Sequence, residues 1–288
     1  MSHRFLFVLA FALPLTGCEL LGLLTGDTID LPIDLRTPPQ IFDVTAAVSS
    51  IESGACAEPE SAPCATITAI CQSEPQRNCD PPTMPDTFPA TIDIPPGGPV
   101  TATKMMDDLG VGEATEMELA LPVDVASALA DNGVESNDAV KNVRIGALVL
   151  EWPENTLTFD APPLDLYIAN EAIDPGSLDA EALIASGAVE RVGTIGLDLD
   201  DDGIIDVGQL AGSIDPVPVS FIAGGNELMS AAFRTAEFTV VTAVPEGAGF
   251  ALKETDAGVA KPTGAGKVQL KATLVFSVNA ADIIAAAE

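Results

Sequence analysis

The chain has 288 residues with 12 basic and 43 acidic side chains, a net charge of −31, and 47% hydrophobic residues. So acidic a chain repels nucleic acid and anionic lipid head groups, which excludes them as partners, yet it holds too much apolar material for a disordered acidic tail. Its length is enough to bury a real core, as one large domain or two small ones.

The elements begin with a leader. Arg4 is followed by an apolar run from Phe5 to Leu13, then Pro14 and Leu15. This is a charged start and an apolar stretch of secretory length, too short for the roughly 20 residues a membrane-spanning helix requires. It ends in Leu15-Thr16-Gly17-Cys18. That order of residues resembles the lipobox of bacterial lipoproteins. The resemblance implies a signal peptide over residues 1–17, removed before Cys18, and diacylglyceryl and amide-linked acyl chains (palmitate among them) on Cys18. Two or three chains anchor firmly where one is marginal. Glu19, where Asp would favour inner-membrane retention, implies the outer membrane rather than the inner. Residues 18–27 then form a tether, and 28–288 form the folded part.

Within that part, Thr28 to Arg36 alternates Ile29, Leu31, Ile33 and Leu35 with polar residues, and Pro32 predicts an edge strand. Phe42, Val44 and Ala46 predict a second strand. Residues 52–87 form a Cys- and Pro-rich excursion, with one short strand near Thr66 to Cys71. Phe88 to Ile94 and Met117 to Val123 alternate as strands, and Asp124 to Asp131 reads as helical turns ended at Asn132-Gly133. Val143 to Glu151 is branched and nearly continuous, which predicts a central strand buried on both faces. Leu157 to Ile168 predicts a strand bent at Pro162-Pro163. Asp174-Pro175 predicts the start of a helix over Ser177 to Ser186. Val217 to Ala223, Thr235 to Val244 and Lys267 to Val278 predict further strands, and Asn279 caps a last short helix. Gly224-Gly225 and Gly264-Ala265-Gly266 lack the residues of a phosphate loop and predict hairpin turns. Many strands, few helices and frequent Pro and Gly predict an all-β fold, an antiparallel β-sandwich or open barrel with a few short helices.

The five cysteines divide by position. Cys18 belongs to the lipobox. Cys56, Cys64, Cys71 and Cys79 follow C-x7-C-x6-C-x7-C, which has none of the close pairs of zinc sites, and they predict two disulfides in an oxidising compartment. Their spacing leaves three connectivities open.

One internal stretch carries chemistry. Asp198, Asp200, Asp202 and Gly203 match the first half of the calcium-loop pattern, with the Ile204 carbonyl and Asp206 following in register. Alternate carboxylates in a tight turn converge on a hard cation, and Gly203 permits the bend. Ile205 sits where such loops plant an apolar anchor. The stretch resembles the calcium loops of EF-hands and, more loosely, of dockerins and thrombospondin type 3 repeats. The resemblance implies structural Ca2+ held by Asp198, Asp200, Asp202, Ile204, Asp206 and Gln209. Gln209 stands where those families place a bidentate acid, which implies weak affinity, about 10⁻⁴–10⁻³ M. The same residues also suit a plain hairpin turn on Asp202-Gly203.

Catalytic groups are scarce. His3, the only histidine, lies in the leader, and Trp152 and Tyr167 are the only residues of their kinds. Histidine-based acid–base, nucleophilic and zinc chemistry are thereby excluded from the mature protein. Trp152 reads as core. The expected function is a non-catalytic envelope lipoprotein, periplasmic or surface-facing, that binds or supports an envelope protein or glycan. Two other classes remain: a carboxylate-based polysaccharide hydrolase, which needs two acids about 5–9.5 Å apart in a cleft, and a carrier of hydrophobic ligands, which needs an apolar cavity of several hundred Å³.

Overall fold

The computed structural model describes residues 28–94, 98–111, 118–134, 139–169, 173, 179–235, 237–245, 248 and 250–279. The leader, Cys18 and its tether, Asp174-Pro175 and the segment after Asn279 lie outside the described residues.

The expected antiparallel, strand-dominated architecture is present, as a curled sheet forming a half-barrel, with six short helices among the described residues. Its backbone is β14 (Ala265–Asn279), where strict alternation puts Val268, Leu270, Ala272, Leu274, Phe276 and Val278 on the inner face, all fully buried. Each large one adds about 1.5–3 kcal/mol of burial. On one side of β14 lie β1 (Thr28–Arg36) and then β2 (Gln40–Asp43), separated at Pro38-Pro39. On the other lies β7 (Val140–Asn155). The sheet then continues through β10 (Val217–Phe221), β9 (Glu190–Ile195), β8 (Leu164–Ala169), β11 (Glu237–Ala243) and β6 (Leu119–Asp124). Strand β10 makes the bend: Val217 and Pro218 pair with β7, whereas Val219 to Phe221 pair with β9.

The two outer edges, β1 and β6, face each other without pairing. Thr37 N–H donates to Leu270 C=O at 3.0 Å. By alternation Pro32 then sits at an outward position, where a missing N–H breaks no ladder bond. Pro122 occupies the equivalent place in β6, because the neighbouring outward carbonyl of Ala120 accepts a hydrogen bond from Gln40 Nε2. An open groove of about 460 Å³ remains between the edges, lined by Ile33, Asp34, Arg36, Val123, Asp124 and Phe238 among others. Hydrogen bonds from the Ser127 side chain and backbone hold the Asp124 carboxyl below its ordinary range.

Several expectations change. Val44 and Ala46 do not extend a strand. They open α1 (Val44–Ala55), because the Asp43 carboxylate accepts from Ala46 N–H and caps a helix whose Val44 and Val48 are buried. The stretch Thr66 to Cys71 is helical too, within α2 (Ala62–Gln72), capped by Ser61 with Pro63 in its first turn. Short helix α3 (Ala102–Asp108) follows a hairpin of β4 (Thr91–Ile94) and β5 (Gly98–Thr101). Helix α4 (Val125–Asp131) occurs as expected, with Asp124 as cap. Helix α5 (Ala180–Ser186) is capped by Asp179. The Gly224-Gly225 pair is not a hairpin but the start of α6 (Gly225–Ala232). Glycine is required there because a Cβ on Gly225 would lie 1.9 Å from the Val192 carbonyl oxygen. Strand β7 is buried on one face only, since Asn142, Arg144, Gly146 and Ala147 are exposed. The run from Leu157 to Ile168 is regular only in β8, because the segment before it bonds to Gln209 and Ala251 through isolated bridges.

The cystines join α1 to α2 and α2 to the segment that follows it, and one ion pair fastens α1 beside a small sheet of β3 (Thr87–Phe88), β13 (Gly258–Ala260) and β12 (Glu254–Thr255). The pairs are Cys56–Cys64 and Cys71–Cys79. Glu52 of α1 is 6% exposed and accepts from Lys261 Nζ at 2.8 and 2.9 Å and from Met84 N–H at 2.6 Å. Trp152 is core, 1% exposed, with Phe42 edge-on at 5.7 Å.

Candidate metal centre

The Asp-rich loop is a tight excursion between β9 and β10. Its neck is a bridge of Leu197 with Val207, in which Leu197 N–H donates to Val207 C=O at 2.7 Å and Asp206 N–H to Leu197 C=O at 2.9 Å. Ile205 packs against the backbone here: a Cβ on Gly196 would meet its Cγ2 at 2.2 Å. The tip turns through left-handed backbone at Asp201 (φ 60°) and Gly203 (φ 89°). Only glycine adopts that freely, and Asp tolerates it better than most residues.

The carboxylates build the loop from within. Asp198 accepts from Asp202 N–H at 3.2 Å and Gly203 N–H at 2.7 Å, Asp202 accepts from Ile204 N–H at 2.7 Å, and Asp206 accepts from Leu199 N–H at 2.7 Å. One oxygen each of Asp198, Asp200 and Asp206 lies within 4.8 Å of the others. Three carboxylate oxygens that close could share one hard divalent cation.

The other three expected ligands are placed differently. Asp202 turns one oxygen to the Ile204 amide and is not among the three clustered acids, and Ile204, expected to offer its backbone carbonyl, stands exposed at the tip. Gln209 is 1% exposed and engaged elsewhere: its Nε2 donates to Asp215 C=O at 2.8 Å and its Oε1 accepts from Leu210 N–H at 2.9 Å. It closes the following turn rather than joining the trio. The cause is the neck, since a hairpin closed at Val207 sends the chain away, whereas a helical exit would bring the twelfth position back. Gly208 reinforces that course, because its Cβ would lie 1.9 Å from the Pro162 carbonyl oxygen.

No family model matches the chain, and no curated protein matches it. One solved structure shows a weak likeness, the semi-empty virus-like particle of a nodavirus of the giant freshwater prawn Macrobrachium rosenbergii. Identity is 16% over 58% of this chain and 82% of that one, with a TM-score of 0.22, an overlap that does not amount to a shared fold.

Proposed function

We propose that the chain is an exported, non-catalytic lipoprotein of the bacterial cell envelope. It is anchored through acylated Cys18, towards the outer membrane, and displays a calcium-stabilised β domain that binds or supports an envelope partner. The observation that carries this reading is the charged start, apolar run and Leu15-Thr16-Gly17-Cys18 in sequence. It is supported by the pairing of the other four cysteines, which leaves Cys18 as the one thiol outside a bridge. Cystines also belong to a compartment outside the cytoplasm. Among the described residues no helix is long and apolar enough to cross a membrane.

Mass spectrometry of the protein from its native host should find a mature N-terminus at Cys18 carrying acyl mass. Cys18→Ala should keep the leader and shift the protein from the membrane to the soluble fraction. An N-terminus at Met1 with an unmodified thiol would refute the reading.

The calcium part has its own measurement. At 10 mM Ca2+ and a Kd near 1 mM, mass action stabilises the fold by about 1.4 kcal/mol. For a domain of this size that is a rise in Tm of about 3–6 °C over EDTA. Asp198→Asn with Asp206→Asn should abolish the rise.

A further inference from the structure

Hydrophobic side chains that face water are unevenly placed on this domain. Among the described residues seven large ones are exposed, and four of them, Leu199, Ile204, Leu210 and Ile214, lie in the excursion between β9 and β10. They are 54, 64, 37 and 63% exposed. A fifth, Ile41, stands opposite Lys267 at the same end of the sheet. Single exposed aliphatics are ordinary on a protein surface, but a concentration of them marks a contact site.

The excursion is pinned from beneath. Buried Asn155 donates from Nδ2 to the carbonyls of Leu210 at 3.1 Å and Ser213 at 2.8 Å. Asp160 accepts from Ala211 N–H at 2.7 Å. Buried Gln209 donates to Asp215 C=O, and the Leu197–Val207 bridge closes the neck. Buried polar side chains thus fix the backbone of this segment while the aliphatic side chains it carries stay in water. A surface ordered before contact loses little conformational entropy when a partner settles on it.

Position and charge select the occupant. Asn155 lies opposite Gly266, whereas β1 starts at Thr28, opposite Asn279. The length of β14 between them is about 40 Å, so the excursion stands at the end of the domain away from the tether. Residues 197–215 hold six aspartates, and no Lys or Arg occurs between Arg191 and Arg234. None of those aspartates is ion-paired among the described residues. Two copies of such a surface repel each other, and so does an anionic lipid surface. Basic side chains are drawn to it, and apolar ones beside them cover the exposed leucines and isoleucines.

We infer that the β9–β10 excursion, residues 197–215, is a docking surface for a segment of a partner protein that carries basic and apolar side chains together. This gives the binding-module reading a partner class and rests on it. Anchoring is measured separately at Cys18, so a peptide that fails to bind leaves the lipoprotein reading standing.

The test uses the full-length protein in EDTA, which keeps it independent of calcium, and labelled amphipathic peptides of about twelve residues. One is built of Leu and Lys, one of Leu and Glu, and one of Ser and Lys. By fluorescence anisotropy the Leu/Lys peptide should bind at least about tenfold more tightly than either of the others. Ile204→Ser with Ile214→Ser should weaken it by at least about tenfold, whereas Ile222→Ser with Leu228→Ser, exposed aliphatics outside the excursion, should change it less than about twofold. Asp201→Asn with Asp215→Asn should weaken it more than Glu58→Gln with Glu60→Gln, which changes net charge equally on the turn between α1 and α2. In the unaltered protein, hydrogen exchange should slow within residues 197–215 when the Leu/Lys peptide is added, a reading that needs no variant to fold. Equal affinity for the Leu/Lys and Ser/Lys peptides would overturn the inference, as would either control pair weakening binding as much as its counterpart in the excursion. Protection confined to other segments would overturn it too. So would binding to zwitterionic vesicles that the two Ile→Ser changes abolish, which would make a lipid surface the occupant.

Discussion

Replacing Glu52 with leucine should destabilise the domain by about 3–5 kcal/mol, the cost of leaving a buried charge without its partner. The side chain of Lys261 is 13% exposed and that of Glu52 7%. In the variant the ammonium loses both its contacts, and the Met84 N–H loses its acceptor. In a domain of this size the loss corresponds to a fall in Tm of about 6–20 °C. Glu52→Leu combined with Lys261→Met should recover much of it, because two apolar side chains carry no desolvation penalty. Urea unfolding of the two single variants and the double variant gives the coupling directly. Simple additivity would mean that the pair does not act as a unit. Exposed pairs such as Lys104 with Asp108 should change stability by less than about 1 kcal/mol.

Reduction of both cystines should have an effect of the same order. Each closes a sequence separation of 8 residues, for which loop entropy gives about 2.5 kcal/mol per bridge and about 5 kcal/mol for the two. Because both bridges lie within or beside α1 and α2, hydrogen exchange on reduction should accelerate first in residues 44–79 and leave β14 protected. Cys56→Ala with Cys64→Ala, and Cys71→Ala with Cys79→Ala, should each lower Tm by a similar amount, about 5–10 °C. A uniform loss of protection across the sheet would show instead that the helices nucleate the whole fold.

The residues that could be read in advance are those whose role is local. Val268 to Val278 alternates so regularly that its inner face follows from the strand repeat of two. Pro32 marks an edge wherever its strand lies. That Asp198 to Asp206 form a tight turn bending at Gly203 was legible, because side chain-to-amide bonds within a turn depend on spacing alone. Gln209 was misplaced because its position depends on how the loop is closed at Leu197 and Val207, a contact with the body of the sheet. Val44 and Ala46 failed for a related reason: short apolar alternation suits a strand, but Asp43 and burial against the neighbouring helix favour α1.

From its order of residues alone the chain specifies strand-rich structure, an even set of four closely spaced cysteines, an acidic surface and a turn dense in carboxylates. Each follows from composition or from interactions a few residues long. Which cysteines join, which acids converge and which charge is buried with Lys261 are all settled by folding. They rest on contacts between distant segments, whose free energy depends on excluding water from a common interior rather than on any neighbour along the chain.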